Sequence, residues 1–370
     1  MQASGHPHDF PTEPALAAIP DALLPWYDAH ARRLPWRSPP GTPAPDPYRV
    51  WLSEVMLQQT TVAAVTAYFE KFTRTWPTVE ALAAADDADV MAAWAGLGYY
   101  ARARNLVACA RAVAARGGAF PDTEDALRAL PGLGAYTAAA VAAIAFGRRA
   151  VVVDANVERV VSRLFAIDAP LPGSRPAIRQ ATDTITPEAR AGDFAQAMMD
   201  LGATICTVKA PRCLLCPLRP HCRAEAEGRA ADLPVKAAKK AKPVRQGRTF
   251  WIERTGPDGE AQVLLVTRPG SGMLGGMRAL PDDGWSARGD GDGSPPTGLA
   301  NADWADADWR AGGMVRHGFT HFDLELHLLL GTAQPDANVR HAEWWPRARI
   351  DDAGLPTVFA KAARLAMASD

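Results

Sequence analysis

The sequence predicts two domains, an all-helical one followed by a smaller α+β one. Three observations carry that prediction. The chain has 370 residues, enough for more than one core. Its apolar residues recur at three- and four-residue steps through the first half, with almost no alternation. Beyond residue 248 the period becomes two, as in half-buried strands.

Residues 1–20 have few periodic apolars and are expected to form a flexible tail. Ser38–Pro47 holds five prolines, which forbid a helix. From Tyr48 to Trp76 the residues Val50, Trp51, Val55, Val62, Val65 and Phe69 follow helical spacing. Helical patterns continue over Val79–Ala95, Ala101–Ala115, Thr123–Leu130, Ala135–Phe146, Val157–Phe165 and Ile178–Thr186. Residues 21–231 therefore read as one helical domain. Residues 232–247 read as a solvated linker, with Lys236, Lys239, Lys240, Lys242 and Arg245 among alanines; DNA contact is the alternative. Residues 248–370 form the second domain, with strands expected at Thr249–Arg254, Val263–Arg268 and Phe322–Leu330. Asp282–Gly298 is a Gly/Asp/Ser/Pro-rich loop, and no internal repeat is visible.

The net charge of −1 conceals an asymmetry. Residues 1–247 hold 28 basic and 24 acidic side chains, and the remainder 12 and 17. Phosphates are expected at the basic half, since clustered charges set the local field. No run of 18 apolar residues exists, so no membrane partner is expected. Arg32 is the first basic residue, so the N-terminus lacks the pattern of a secretory signal or transit peptide. The expected compartment is reducing and cytoplasmic.

Four of the five cysteines fall within 17 residues. Cys206, Cys213, Cys216 and Cys222 have the spacing C-x6-C-x2-C-x5-C, with only one C-x2-C pair and prolines at 211, 217 and 220. That favours a [4Fe–4S] cluster over a single zinc. His221 reads as a surface residue and Cys109 as a small buried one. This spacing resembles the cluster of the endonuclease III superfamily of base-excision DNA glycosylases.

Leu130-Pro131-Gly132-Leu133-Gly134 joins two helical patterns. Its glycines permit positive φ, and amides at the next helix start suit a DNA phosphate. Together with the cysteines it resembles the superfamily's helix-hairpin-helix, with Gly132 and Gly134 at the phosphate. Bifunctional members carry a Schiff-base lysine two residues after the second glycine. Here that residue is Tyr136, and no lysine occurs between Lys71 and Lys209. A phenol forms no imine, so water is the expected nucleophile.

Breaking an N-glycosidic bond to a purine calls for one protonated acid and one ionised carboxylate. Glu54 is bracketed by apolar residues that would raise its pKa, and Gln58 lies one turn further along the expected helix. Asp154 follows an apolar run and precedes a helix, the position of an N-cap; it also lies 18 residues beyond Tyr136, which resembles the superfamily's catalytic aspartate. The strings Leu34–Arg37, Trp51–Thr60, Gly96–Asn105 and Gln196–Ala203 are similar to signatures of adenine DNA glycosylases of the MutY type. The resemblance spans roughly residues 25–225. It implies that Glu54 protonates an extruded adenine, Asp154 stabilises the sugar cation, Asn156 orients Asp154 and Tyr136 supports them. Arg32 and Arg37 would line the adenine pocket, Gln58 and Tyr99 would wedge into the base stack, and Thr60 and Gln196 would join the DNA contacts. Ala155 departs from the usual glycine and could shift the Asp154 loop.

The second domain resembles, more weakly, the Nudix-like domain of these enzymes. No R-E-x-x-E-E cluster follows Gly275-Gly276, which argues against pyrophosphate hydrolysis. Phe319-Thr320-His321 stands where the family has Phe-Ser-His, so Thr320 would read 8-oxoguanine opposite the adenine. Met273-Leu274 lacks the tryptophan common there. The expectation is a monomeric, monofunctional, nucleoid-associated enzyme of prokaryotic type. It would act on double-stranded DNA with 8-oxoguanine:A or G:A mispairs, in base excision repair. The rivals are a bifunctional pyrimidine-lesion glycosylase and a non-catalytic iron–sulfur DNA-binding protein.

Overall fold

Small residues set how closely the helices approach. In Ala135–Phe146 the nine residues Thr137–Ala145 are all buried, as in a helix apolar on every side. In the computed structural model, residues 13–237, 241–269, 273–295, 308–335, 337 and 342–369 are described. The chain divides into two units, 1–238 and 239–370.

The first unit is helical: α1 (Glu13–His30), α2 (Pro47–Leu57), α3 (Val62–Thr75), α4 (Val79–Ala83), α5 (Asp87–Trp94) and α6 (Ala101–Ala114) come first. Then follow α7 (Glu124–Arg128), α8 (Ala135–Phe146), α9 (Ala155–Leu164), α10 (Arg175–Ile185), α11 (Ala191–Thr204) and α12 (Arg223–Ala226). Asp46, Thr61, Thr78, Asp86, Thr123 and Asp154 each cap a helix by accepting an amide hydrogen bond in its first turn. Helix α8 packs against α2, α7 and α11. Gly192 lets α11 close on α8, since a Cβ there would lie 2.4 Å from the Ala143 carbonyl oxygen.

Three sequence expectations change. Glu13–His30 is a helix where a tail through residue 20 is expected; Pro20 and Pro25 lie inside it, and proline disguises helical sequence. Residues 1–12 lie outside the described residues. The pattern from Tyr48 to Trp76 is two helices, broken at Gln58–Thr61, where Gln59 adopts φ 56°. Gln58 is therefore the C-cap of α2, not a residue on its face. Val79–Ala95 likewise divides, because Asp86 caps a new start.

In the second unit, strands β1 (Val244–Thr255), β2 (Ala261–Thr267), β3 (Arg278–Ala279), β4 (Arg310–Gly318), β5 (Asp323–Thr332) and β6 (Ala342–Pro346) form a mixed sheet of order β3-β2-β1-β5-β4, with β6 also pairing β2. β1 and β5 run parallel, from Val244 opposite Asp323 to Glu253 opposite Thr332. On β5, Leu324, Leu326 and Leu328 are buried while Asp323 and His327 are exposed, and helix α13 (Thr357–Met367) packs on β4, β1 and β5. β1 starts within the stretch expected as linker, while Lys239 and Lys240 lie outside the described residues.

Replacing Gly192 by Val should lower stability by about 1–3 kcal/mol through overpacking of α11 on α8. Urea unfolding measures this; an unchanged midpoint would show that the helices separate freely.

Candidate active site

One cleft of the first unit gathers residues from distant parts of the sequence. It is lined by Arg32, Arg37, Glu54, Gln58, Thr60, Gly132, Gly134, Tyr136, Asp154, Asn156 and Gln196, among others. Helix α2 delivers Glu54, α8 delivers Tyr136, the start of α9 delivers Asp154 and Asn156, and α11 delivers Gln196. Tyr99 is not in the lining; it is half exposed, on the turn before α6, with φ 49°.

Glu54 is buried, with 6% of its surface exposed. The Tyr136 hydroxyl donates to its Oε2 at 2.6 Å. Burial pushes the Glu54 carboxyl from 4.5 up to about 7; the Tyr136 hydrogen bond opposes the rise, Asp154 adds to it and Arg37 opposes it. Burial likewise drives the Tyr136 phenol well above its ordinary value, helped by the neighbouring carboxylates. At neutral pH the phenol is thus a donor.

Asp154 caps α9 and also lines the cleft. As N-cap of α9 its Oδ1 accepts the Val157 amide at 2.7 Å, and its Oδ2 accepts Asn156 Nδ2 at 2.8 Å. Burial raises its pKa, and the donors at Val157 and Asn156 pull it back. Arg159 extends the chain of contacts: it donates to Asn156 Oδ1 at 2.9 Å and to the carbonyls of Gly202 and Cys206 at 2.7 Å each. Ala155 is the first residue of α9 in helical conformation, so its methyl is accommodated where glycine was expected.

The arginines are held by a partner that sequence reading did not single out. Asp200, fully buried on α11, accepts from Arg37 Nη1 at 2.9 and 2.8 Å and from Arg32 Nε at 2.6 Å. An acid inside the apolar run Met198-Met199-Asp200-Leu201 was the available signal, because a buried carboxylate needs cations. Thr137, which accepts from Gln58 Nε2 at 3.2 Å, was also missed. Gln196 is buried, with Nε2 on the Gly192 carbonyl. At the hairpin, Gly132 has φ 74°, and a Cβ there would lie 2.6 Å from Asn105 Cβ. Gly134 is the N-cap of α8 without a side chain to close it, which leaves the first amides of α8 available to an anion.

Cys206, Cys213, Cys216 and Cys222 line one small cavity together with Arg163. Arg163, fully buried, donates to Cys206 Sγ at 3.2 Å and to the Thr207 carbonyl at 2.8 Å. Among the described residues, no group of three or more His, Cys, Asp or Glu could hold a single metal ion. Cys109 is buried, which pushes its thiol up to about 12. In the second unit, Phe319 stacks on Phe322 at 4.7 Å, and Thr320 and His321 are exposed at the turn before β5. Lys242 donates to the Phe319 carbonyl at 2.6 Å. Leu274 has φ 57°, an unusual conformation for a residue with a side chain.

The helical unit thus sets two carboxyls and a glycine hairpin around one cleft. Residues 52–182 match the HhH-GPD superfamily of base excision DNA repair proteins, and residues 256–365 match the NUDIX domain. The solved structure of a thermostable thymine-DNA glycosylase is similar with TM-score 0.51 and 29% identity, covering 58% of this chain and 98% of that one. The chain is 44% identical to an adenine DNA glycosylase of Mycolicibacterium smegmatis over 215 residues, 58% of this chain and 71% of that protein. It is 39% identical to the adenine DNA glycosylase of Homo sapiens over 332 residues, 75% of this chain. The chain belongs to the adenine DNA glycosylase family. It spans 60% of the human relative and 64% of the Mus musculus one.

The raised pKa of Glu54 has a consequence for stability. Its contribution is full below about 4.5 and is lost as pH rises through about 7, because the buried site favours the protonated form. The wild type should therefore lose stability across that window relative to Glu54→Gln. Chemical denaturation at several pH values would read it, and parallel curves for the two proteins would show that Glu54 is not a buried acid.

Proposed function

We propose that this chain is a monofunctional DNA glycosylase that removes adenine opposite 8-oxoguanine, and opposite guanine, by flipping the base and hydrolysing its N-glycosidic bond. The observation that carries the reading is the pair Glu54 and Asp154 in one cleft, in unlike surroundings, with Tyr136 bonded to Glu54 and no imine-forming lysine among the described lining residues.

The chemistry follows from those surroundings. An adenine extruded into the cleft accepts the Glu54 proton at N7, and the glycosidic electron pair leaves with the base. Asp154, held by Asn156 and the Val157 amide, faces the positive charge that develops on the sugar. Water bonds to C1′ and gives its proton to a carboxylate. The Tyr136 hydroxyl holds Glu54 in place, while Asp200 keeps Arg37 and Arg32 extended along the pocket where they can address the base. The open amides of α8 and the Gly132 turn would take a backbone phosphate.

Cys206, Cys213, Cys216 and Cys222 would hold a [4Fe–4S] cluster. A donor set of four cysteines around one cavity fits it, because a four-iron cluster takes one thiolate per iron and its ligands need not converge on one point. The cluster would tie the loop after α11 to the helical unit, and the buried Arg163 would hold Cys206 in place. In the second unit, the exposed Thr320 hydroxyl would read the N7–H and O8 that distinguish 8-oxoguanine from guanine. The enzyme would act as a cytoplasmic monomer on double-stranded DNA.

Single-turnover reaction with an 8-oxoguanine:A duplex tests this. Free adenine should appear, with strand breakage only after alkali; breakage without alkali would contradict hydrolysis by water, and no adenine would contradict the activity. Glu54→Gln should still bind the mispair yet excise about 100-fold or more slowly, and near-normal excision would remove Glu54 from the mechanism. Thr320→Ala should reduce the preference for 8-oxoguanine over guanine by roughly two- to tenfold, the worth of one hydrogen bond. An unchanged ratio would leave that loop without a part in lesion reading.

A further inference from the structure

Arg102, on α6, is buried and has no place in the chemistry above. Its two terminal nitrogens nevertheless reach six acceptors. Nη1 donates to the carbonyls of Val55, Met56 and Gln58 at 3.0, 2.9 and 2.6 Å. Nη2 donates to the Thr60 hydroxyl and to the carbonyls of Leu97 and Gly98 at 3.2, 3.1 and 3.3 Å. The four N–H protons of those nitrogens are thus shared between two stretches of chain far apart in sequence.

Both stretches are strained. Gln59 follows Gln58 with φ 56°, and Tyr99 itself has φ 49°, each a left-handed conformation that a side chain disfavours. Such conformations persist only where the surroundings impose them. The carbonyls of Val55 and Met56 belong to the last turn of α2, where the helix runs out of its own donors, so Arg102 also closes that helix. Its guanidinium lies 5.7 Å from the centre of the Tyr99 ring and 5.2 Å from that of Trp94. Tyr99 is nonetheless 51% exposed. One planar cation therefore fixes the backbone on either side of Gln58 and beneath Tyr99. Lysine, with a single tetrahedral donor atom, cannot span both.

We propose that Arg102 is a positioning residue that locks the Gln58–Thr60 and Leu97–Tyr99 segments together, so that Gln58 and Tyr99 are set as a rigid wedge before DNA arrives. The proposal rests on the base-flipping reading above. A preset wedge loses little freedom on insertion, so Arg102 would govern the speed of base extrusion and leave the acid chemistry at Glu54 alone.

The test uses the full chain and a duplex with 2-aminopurine in place of the target adenine, whose fluorescence reports unstacking, alongside excision of adenine from 8-oxoguanine:A. R102K should slow extrusion about tenfold or more, as misplaced groups do, while the pH midpoint of excision stays at the wild-type value. Adding R102K to the double variant Q58A/Y99A should slow extrusion no further, because Arg102 acts through those two residues. Extrusion at the wild-type rate in R102K, or a further loss when R102K is added to Q58A/Y99A, would overturn the proposal. If R102K does not fold, R102Q gives the same reading against the same two outcomes. A wild-type protein that neither extrudes nor excises would instead overturn the functional reading, and this proposal with it.

Discussion

Keeping one carboxyl dry constrains the arrangement of the first unit. Glu54 must sit inside the helical unit to hold its proton near neutral pH, and an unbalanced cation beside it would draw that proton off. Arg37 is such a cation, and its charge does oppose the rise. Asp200 offsets it: a fully buried carboxylate binds Arg37 through both oxygens and takes Arg32 as well. The pocket can thus present two guanidinium groups near a protonated acid. Tyr136 also fits, since a neutral phenol that donates to Glu54 lowers its pKa without placing a full positive charge beside it, as a lysine would.

The constraint reaches into packing. The groups around Glu54 come from α8, α9 and α11, which meet closely because of what their contact positions lack. Gly192 admits the α8 backbone, and Gly202 admits Asn156, whose Cβ would lie 2.6 Å from any Cβ placed there. Asn156 in turn holds Asp154 and is held by Arg159, which also grips the Gly202 and Cys206 carbonyls. The cysteine loop and the Asp154 carboxylate are therefore parts of one hydrogen-bonded assembly.

Much of this was legible in sequence, for physical reasons. Helical periodicity located α6 and α8, and the change to period two located β5, because burial of one face leaves that imprint. Glu54 could be singled out because its apolar neighbours would keep it protonated, whereas Asp154 and Tyr136 stood out through a family resemblance in their spacing from the hairpin. What stayed hidden was mostly backbone conformation and partnership. The break after α2 carries no proline or glycine; Gln59 adopts positive φ there, with the Gln58 carbonyl before it and the Thr60 hydroxyl after it both accepting from Arg102. Asp200, Arg102 and Arg159 are ordinary charged residues until the fold shows that each is buried among specific acceptors or donors. Helix α1 was obscured by its own prolines.

The protonation state of Glu54 is the most direct test. Infrared difference spectroscopy of the wild type against Glu54→Gln, followed through the carboxyl stretch over a pH series, isolates that one group. The account predicts a protonated carboxyl below neutrality, titrating near 7. A carboxylate already ionised with a midpoint near 4.5, the value for an exposed glutamate, would contradict it.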